Sequence, residues 1–261
     1  VQASVDEWTA NTVTGLKSVT GIGFQPDLVL HLATGAVSLG TFSQGVFCLG
    51  AMDKDGNQFA QAVESRNALS PSDTARYGPS LRCITLLTSG VQDCAARFIS
   101  MDNDGFTTQW SDAAANTFLI ASLSLKGFKV RIGNDAKVTG AAPVNQTAIT
   151  LPFATTAFLA TSIWVTDGVV NTHAAFAFGG ASGTTAVSAS SYFDEDNVAT
   201  TDNYGIDHTT AALVKLTNTD GSTIDALAAC NAIDINTAGW LRWTTNDSAA
   251  SIINYIALAP L

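Results

Sequence analysis

The places where this chain could do chemistry are its acidic turns. Asp53, Asp55 and Asn57 stand at alternate positions, and Glu64 follows at the twelfth place counted from Asp53. That is oxygen-ligand spacing of the kind a calcium loop uses. Such a loop needs glycine at its sixth position, where this chain has Gln58, and Gly56 comes two places early. The flanking runs, 46–52 and 58–64, also alternate like strands rather than helices. The segment is therefore read as a hairpin turn, with Asp55-Gly56 supplying the positive φ that a tight turn demands. Asp102-Asn103-Asp104-Gly105 is read as a second such turn, and Asp194-Glu195-Asp196 as a further solvated one. No metal site is assigned.

Other reactive groups lack the company that catalysis needs. His31, His173 and His208 have no metal-ligand spacing, and His31 sits in an apolar strand-like run as a partly buried, satisfied imidazole. The glutamates are Glu7, Glu64 and Glu195, none in a motif, so paired-carboxylate glycosidase chemistry has no visible carrier. There is no G-x-S-x-G elbow, and the Gly-rich run 179–183 lacks the lysine of a phosphate loop. Cys48, Cys83, Cys94 and Cys230 form no C-x-x-C pair, which argues against a zinc ribbon or a redox motif. They are read as buried thiols, with a Cys83–Cys94 bridge across a hairpin left open. No enzyme activity and no cofactor are expected.

The aromatics offer a binding alternative. Trp110 and Trp243 each precede a polar turn, and are either core plugs or a pair of sugar-contact platforms. Trp8 lies in the polar stretch Ser4-Val5-Asp6-Glu7-Trp8-Thr9, where it reads as the anchor of an amino-terminal arm docking on a neighbour.

The elements that must position these residues are strands. Gly, Asn, Asp, Ser and Thr clusters interrupt short apolar runs every eight to twelve residues or so, the rhythm of an all-β sandwich or barrel. Strands are predicted over 27–32, 46–52, 58–64, 83–87, 95–101, 106–110, 118–125, 157–165, 174–178, 211–216, 240–243 and 252–258. Ile224, Leu227 and Ala228 alone have helical spacing. Composition agrees. The 261 residues carry 12 Lys and Arg against 22 Asp and Glu, a net charge of −10. Only 13% are charged, about half the usual ~25%. Disorder is excluded by 46% hydrophobic content with so little charge. A nucleic-acid partner is not expected without a basic run, nor a membrane partner without a spanning apolar stretch.

The order of segments repeats. Phe24–Leu30 aligns with Phe153–Leu159, 46–51 with 175–180, Arg76-Tyr77-Gly78 with Asn203-Tyr204-Gly205, and Met101-Asp102 with Ile233-Asp234. Trp110 then aligns with Trp243, and Leu119-Ile120-Ala121 with Tyr255-Ile256-Ala257. The expected architecture is all-β, with two tandem, duplicated jelly-roll-like β-sandwich units. They span 20–127 and 153–261, with an amino-terminal arm over 1–19 and a linker over 128–152. Each unit is near one β-sandwich domain in size.

The run Thr20-Gly21-Ile22-Gly23-Phe24-Gln25-Pro26-Asp27-Leu28-Val29-Leu30 resembles a G-x-G-F-x-P-D segment of structural proteins from tailed bacteriophages and prophages. In that family a D-G-F-T segment and an N-x-Y/F-x-x-A-type strand follow. Here these are Asp104-Gly105-Phe106-Thr107 and Asn116-Thr117-Phe118-Leu119-Ile120-Ala121. The match covers residues 20–125, and the second half keeps only the strand skeleton. The resemblance implies a non-catalytic virion protein, either a capsid decoration (cement) protein or a tail- or fibre-associated carbohydrate-binding adhesin. It implies virion partners such as a major capsid or tail protein, a homo-oligomer, and in the adhesin case a host surface glycan. Gly21, Gly23, Phe24, Pro26, Asp27, Gly105 and Phe106 are expected to be structural.

Overall fold

Turn-forming residues break the chain into strands, and among the described residues the strands assemble into four antiparallel sheets. The structure is a computed structural model that describes residues 1–38, 40, 44–146, 151–182, 186–200, 202–217, 223–230 and 241–261. The first ten strands are β1 (Gln2–Thr9), β2 (Gly15–Thr20), β3 (Leu28–Ala33), β4 (Gly45–Asp53), β5 (Gln58–Ser65), β6 (Thr74–Tyr77), β7 (Ile84–Thr88), β8 (Val91–Asp102), β9 (Gly105–Asp112) and β10 (Leu119–Lys126). Next come β11 (Phe128–Ala136), β12 (Val144–Asn145), β13 (Ala157–Ser162), β14 (Val170–Thr172), β15 (Ala174–Ser182) and β16 (Ala186–Asp194). The chain closes with β17 (Asn203–His208), β18 (Leu213–Leu216), β19 (Ile224–Cys230), β20 (Leu241–Thr245) and β21 (Ile252–Pro260).

Sheet I has the order β1-β10-β3-β4-β5-β6-β14, and sheet II the order β2-β9-β8-β7. Together they enclose a core that includes Val29, Met52, Ile84, Phe106 and Trp110. Sheet III runs β11-β21-β13-β15-β16-β17 and sheet IV runs β12-β20-β19-β18. Their core includes Phe158, Phe193, Leu213 and Trp243. The chain is thus an all-β protein of two sandwiches. The chain pairs β1 with β10 and β2 with β9, while β3–β6 and β7–β9 run as meanders.

Apart from β14, the two sandwiches follow one strand order, and two of their irregularities match as well. Ladder shifts fall between Leu86 and Leu87 and between Ala95 and Ala96 in the first sandwich. They recur between Lys215 and Leu216 and between Leu227 and Ala228 in the second. Register makes Ile84–Ala96 the counterpart of Leu213–Ala228, so both shifts are at equivalent places. The shift opposite Lys215 and Leu216 also explains the helical spacing of Ile224, Leu227 and Ala228. Its extra residue is Asp225, a β-bulge that resets the alternation within β19, which is a strand and not a helix.

Two aligned segments slip when register is applied. Val63 pairs with Arg76 and its counterpart Tyr192 pairs with Gly205, so Arg76 matches Gly205 rather than Asn203. Ser122 faces His31 and Tyr255 faces Ala160, so Leu119-Ile120-Ala121 matches Ile252-Ile253-Asn254. The matches of Phe24–Leu30, of 46–51 and of Trp110 hold in register. The Met101-Asp102 comparison with Ile233-Asp234 lies outside the described residues, as does Trp240.

The expected arm and linker are both corrected. Residues 1–19 supply β1 and most of β2, because β1 pairs along β10 with Ser4, Asp6 and Trp8 on the inward face, which buries the indole. Residues 128–152 supply β11 and β12, with Val130 and Ile132 as buried alternate positions of β11. The junction between the sandwiches is the single residue Gly127.

Sheets I and III meet face to face, through Leu28, Ala51, Phe59, Val130, Ile132 and Ile256 and through Val63, Ile163, Val165 and Ala174. β14 crosses over and pairs antiparallel with β6, Val170 opposite Tyr77, so the second half also covers a strand edge of the first.

Candidate functional site

The residues carrying the family resemblance form one hydrogen-bonded turn. Gly21 and Gly23 adopt φ of 93° and 85°, the left-handed region that glycine enters without steric cost. Their amides point together, and the Asp104 carboxylate accepts from both, Oδ2 from Gly21 N at 3.0 Å and Oδ1 from Gly23 N at 2.6 Å. Successive amides aimed at one anion make a small nest. Gln25 Nε2 donates to Met101 O at 2.7 Å on the same side. Phe24 is buried in the first core, Pro26 is buried beside it, and Phe106 is wholly buried. Gly105 starts β9 opposite Thr20. Asp27 Oδ2 accepts from Gly127 N at 2.7 Å and Phe128 N at 3.2 Å, so it holds the junction between the sandwiches.

The acidic turns are consumed in the same way. Asp53 is buried. Its Oδ1 accepts from the amides of Asp55 and Asn57 at 3.0 and 2.9 Å, and its Oδ2 from Ile132 N at 3.0 Å in the facing sheet. Glu64 accepts from Ser89 N and Gly90 N at 2.9 and 2.8 Å. Asp102 accepts from Ser100 and Thr107 hydroxyls, both at 2.7 Å. Asp196 Oδ1 accepts from Thr74 N at 2.7 Å. Among the described residues no cluster of three His, Cys, Asp or Glu could hold a metal ion.

Trp110 and Trp243 are each 0% exposed. They are core plugs, and the sugar-contact alternative is corrected, because a stacked sugar needs an open ring face. Trp8 is corrected too. Its indole is buried, meets His31, Phe106 and Trp110 edge to face, and donates from Nε1 to Ser122 Oγ at 2.7 Å. Ser122 Oγ also bonds His31 Nδ1 at 2.8 Å. Burial holds the His31 imidazole neutral by pulling its pKa down to about 3. Cys48, Cys83 and Cys94 are buried free thiols, and burial pushes Cys48 up to about 12. None is poised as a nucleophile.

The feature that sequence reasoning missed is an apolar cleft of about 490 Å³ between sheets I and III. Its lining contains pairs of equivalent residues from the two sandwiches: Leu30 with Leu159, Phe47 with Phe176, and Leu49 with Phe178. Phe47 and Phe176 themselves touch. The cleft therefore straddles the local two-fold relation of the units. The lining hydroxyls are spent inside the protein. Ser122 bonds Trp8 and His31, and Thr161 Oγ1 lies 2.7 Å from Gln61 Oε1 and 2.8 Å from Ala177 O. The signal available in the sequence was the apolar outward face of β1, β10 and β3, whose residues alternate with those of the first core.

No family model matches the chain, and no curated protein matches it.

Proposed function

We propose that this chain is a non-catalytic structural protein of a tailed-phage particle, a capsid decoration (cement) protein that adds buried interface to an assembled shell. The observation that carries the reading is the Asp104 clasp on Gly21 and Gly23. It joins the two segments that resemble phage structural proteins, 81 residues apart between Gly23 and Asp104, into one architectural unit. The motif residues are spent on the fold, and the acidic groups near them are spent on turns.

The surface supports the same reading. Low charge density and exposed apolar side chains such as Leu16, Leu81 and Val91 suit burial against a major capsid protein or further copies of the chain. Each bound copy adds free energy only to the assembled state, so many weak contacts suffice. The net charge of −10 favours basic patches on the partner.

The test is copy number, by quantitative mass spectrometry of purified particles of the phage that encodes the chain. A ratio to the major capsid protein near one, or near a simple fraction set by lattice symmetry, is expected. A few copies to a few dozen would move the chain to the tail or a fibre, with a surface glycan as partner. Absence from particles would overturn the virion reading.

A further inference from the structure

We infer that the cleft between sheets I and III is a binding site for a hydrocarbon ligand, an acyl chain or a molecule of similar size and apolarity. The inference stands apart from the particle reading. It begins with an asymmetry between equivalent residues. On one side of the interface Ile132 of β11 packs into the shared core and is 0% exposed. Its counterpart in β1, matched through the pairing of each with β10 or β21, is Val5, which is 75% exposed on the cleft rim. The same interface is packed where its residues are large and gapes where they are small.

The gap is not a trivial void. Its volume, about 490 Å³, is roughly three times the ~150 Å³ of an apolar cavity that takes up benzene. It falls in the size range of ligand pockets, and ligand pockets favour interfaces between domains. Its rim keeps Leu32 46% and Phe178 38% exposed. Apolar patches of this kind mark binding surfaces.

The chemistry of the lining selects the occupant. A peptide strand entering the cleft would bring N–H and C=O groups that need partners, and burying them unpaired costs several kcal/mol each. The lining hydroxyls, Ser122 and Thr161, are already engaged. A sugar or a phosphate meets the same obstacle. A hydrocarbon asks for no hydrogen bond, and any headgroup it carries stays at the open mouth in water.

The experiment uses the full chain and the uncharged fluorophore N-phenyl-1-naphthylamine, with sodium palmitate as competitor. Saturable binding near one site per chain, displaced by palmitate, is expected. Two variants act on residues already exposed to solvent, so that the fold survives. Ala121→Trp fills the cleft from β10, and Val5→Asp puts a charge on its rim. Both are expected to weaken probe binding at least tenfold with melting temperature unchanged. Non-saturable binding, or binding that persists in Ala121→Trp, would overturn the site. So would a failure to bind in a chain that sediments as a dimer and becomes monomeric with Val5→Asp, which would assign the cleft to a second copy.

Discussion

Phe47 and Phe176 occupy equivalent positions in the two sandwiches and touch each other edge to face, with ring centroids 5.2 Å apart. A residue that meets its own counterpart marks a two-fold relation, which dimers of identical subunits obey by symmetry. Here one chain holds both halves, and the same-to-same contact packs against both apolar clusters of the inter-sandwich interface. An edge-to-face pair contributes about 0.5–1.5 kcal/mol beyond the area it buries. A double-mutant cycle of Phe47→Ala and Phe176→Ala, read by urea unfolding, is expected to give a coupling of about 1 kcal/mol. Strict additivity would mean that the rings act only through area.

Gly50 and Gly179 make a second matched pair. A Cβ at Gly50 would collide with the carbonyl of Cys83, and one at Gly179 with the carbonyl of Ala212, where the chain passes from the larger sheet to the smaller. Backbone cannot yield as a flexible side chain does. Gly50→Ala and Gly179→Ala are each expected to cost about 3 kcal/mol or more. Gly205→Ala, with nothing closer than 3.8 Å, is expected to be within about 1 kcal/mol of neutral. Thermal and chemical melts of the three variants check the ranking.

Asp104→Ala removes the acceptor for Gly21 and Gly23. Hydrogen bonds to a charged group contribute about 1.5–3 kcal/mol, and the solvent-exposed setting of these two places the expected loss near the lower bound. Faster amide exchange at Gly21 and Gly23, with the core amides of β4 unchanged, is the specific signature.

A charge cluster governs acid stability in the second sandwich. Burial would raise the Asp247 carboxyl, but hydrogen bonds and charge from Lys137 and Lys215 outweigh it and hold the group below its usual 3.8. A carboxylate with a lowered folded pKa stabilises the fold above its unfolded pKa. That contribution is lost as pH falls through the folded value, so the window lies below about pH 4. Asp53 runs the other way, because burial raises it and its protonation favours the folded state. The difference between wild type and Asp247→Asn isolates the cluster. It is expected to be about 3 kcal/mol at neutral pH, since two buried ammonium groups lose a partner, and to shrink below about pH 4. A difference independent of pH would refute the assignment.

Trp110→Ala and Trp243→Ala are expected to cost about 3–5 kcal/mol each, as large core truncations do. Neither is expected to alter binding to a glycan array in the fraction that remains folded, since neither ring reaches the surface.

Much of the architecture was legible in the residues. Apolar runs bounded by Asp-Gly and Asn-rich turns located the two hairpins, and the all-β class followed from that rhythm. The order of Phe24, Val46 and Trp110 against Phe153, Ala175 and Trp243 exposed the repeat. What escaped were strands whose own residues carry a weak local signal. β1, β11 and β16 are polar at alternate positions or rich in Ser and Ala, and local propensity does not distinguish such segments from arms, linkers and loops. Pairing along β10, β21 and β15 makes them strands.

The sequence by itself determined the strand class, the turn chemistry and the structural nature of the Gly21, Gly23 and Pro26 turn, because these depend on φ preference and on alternation over a few residues. Only the tertiary structure decided that Asp104 closes that motif, that Trp8, Trp110 and Trp243 are interior, and that a cleft opens where Val5 stands in place of Ile132. Those outcomes depend on which faces meet and how well their volumes match. Both are properties of residues far apart in the chain, which no local pattern records.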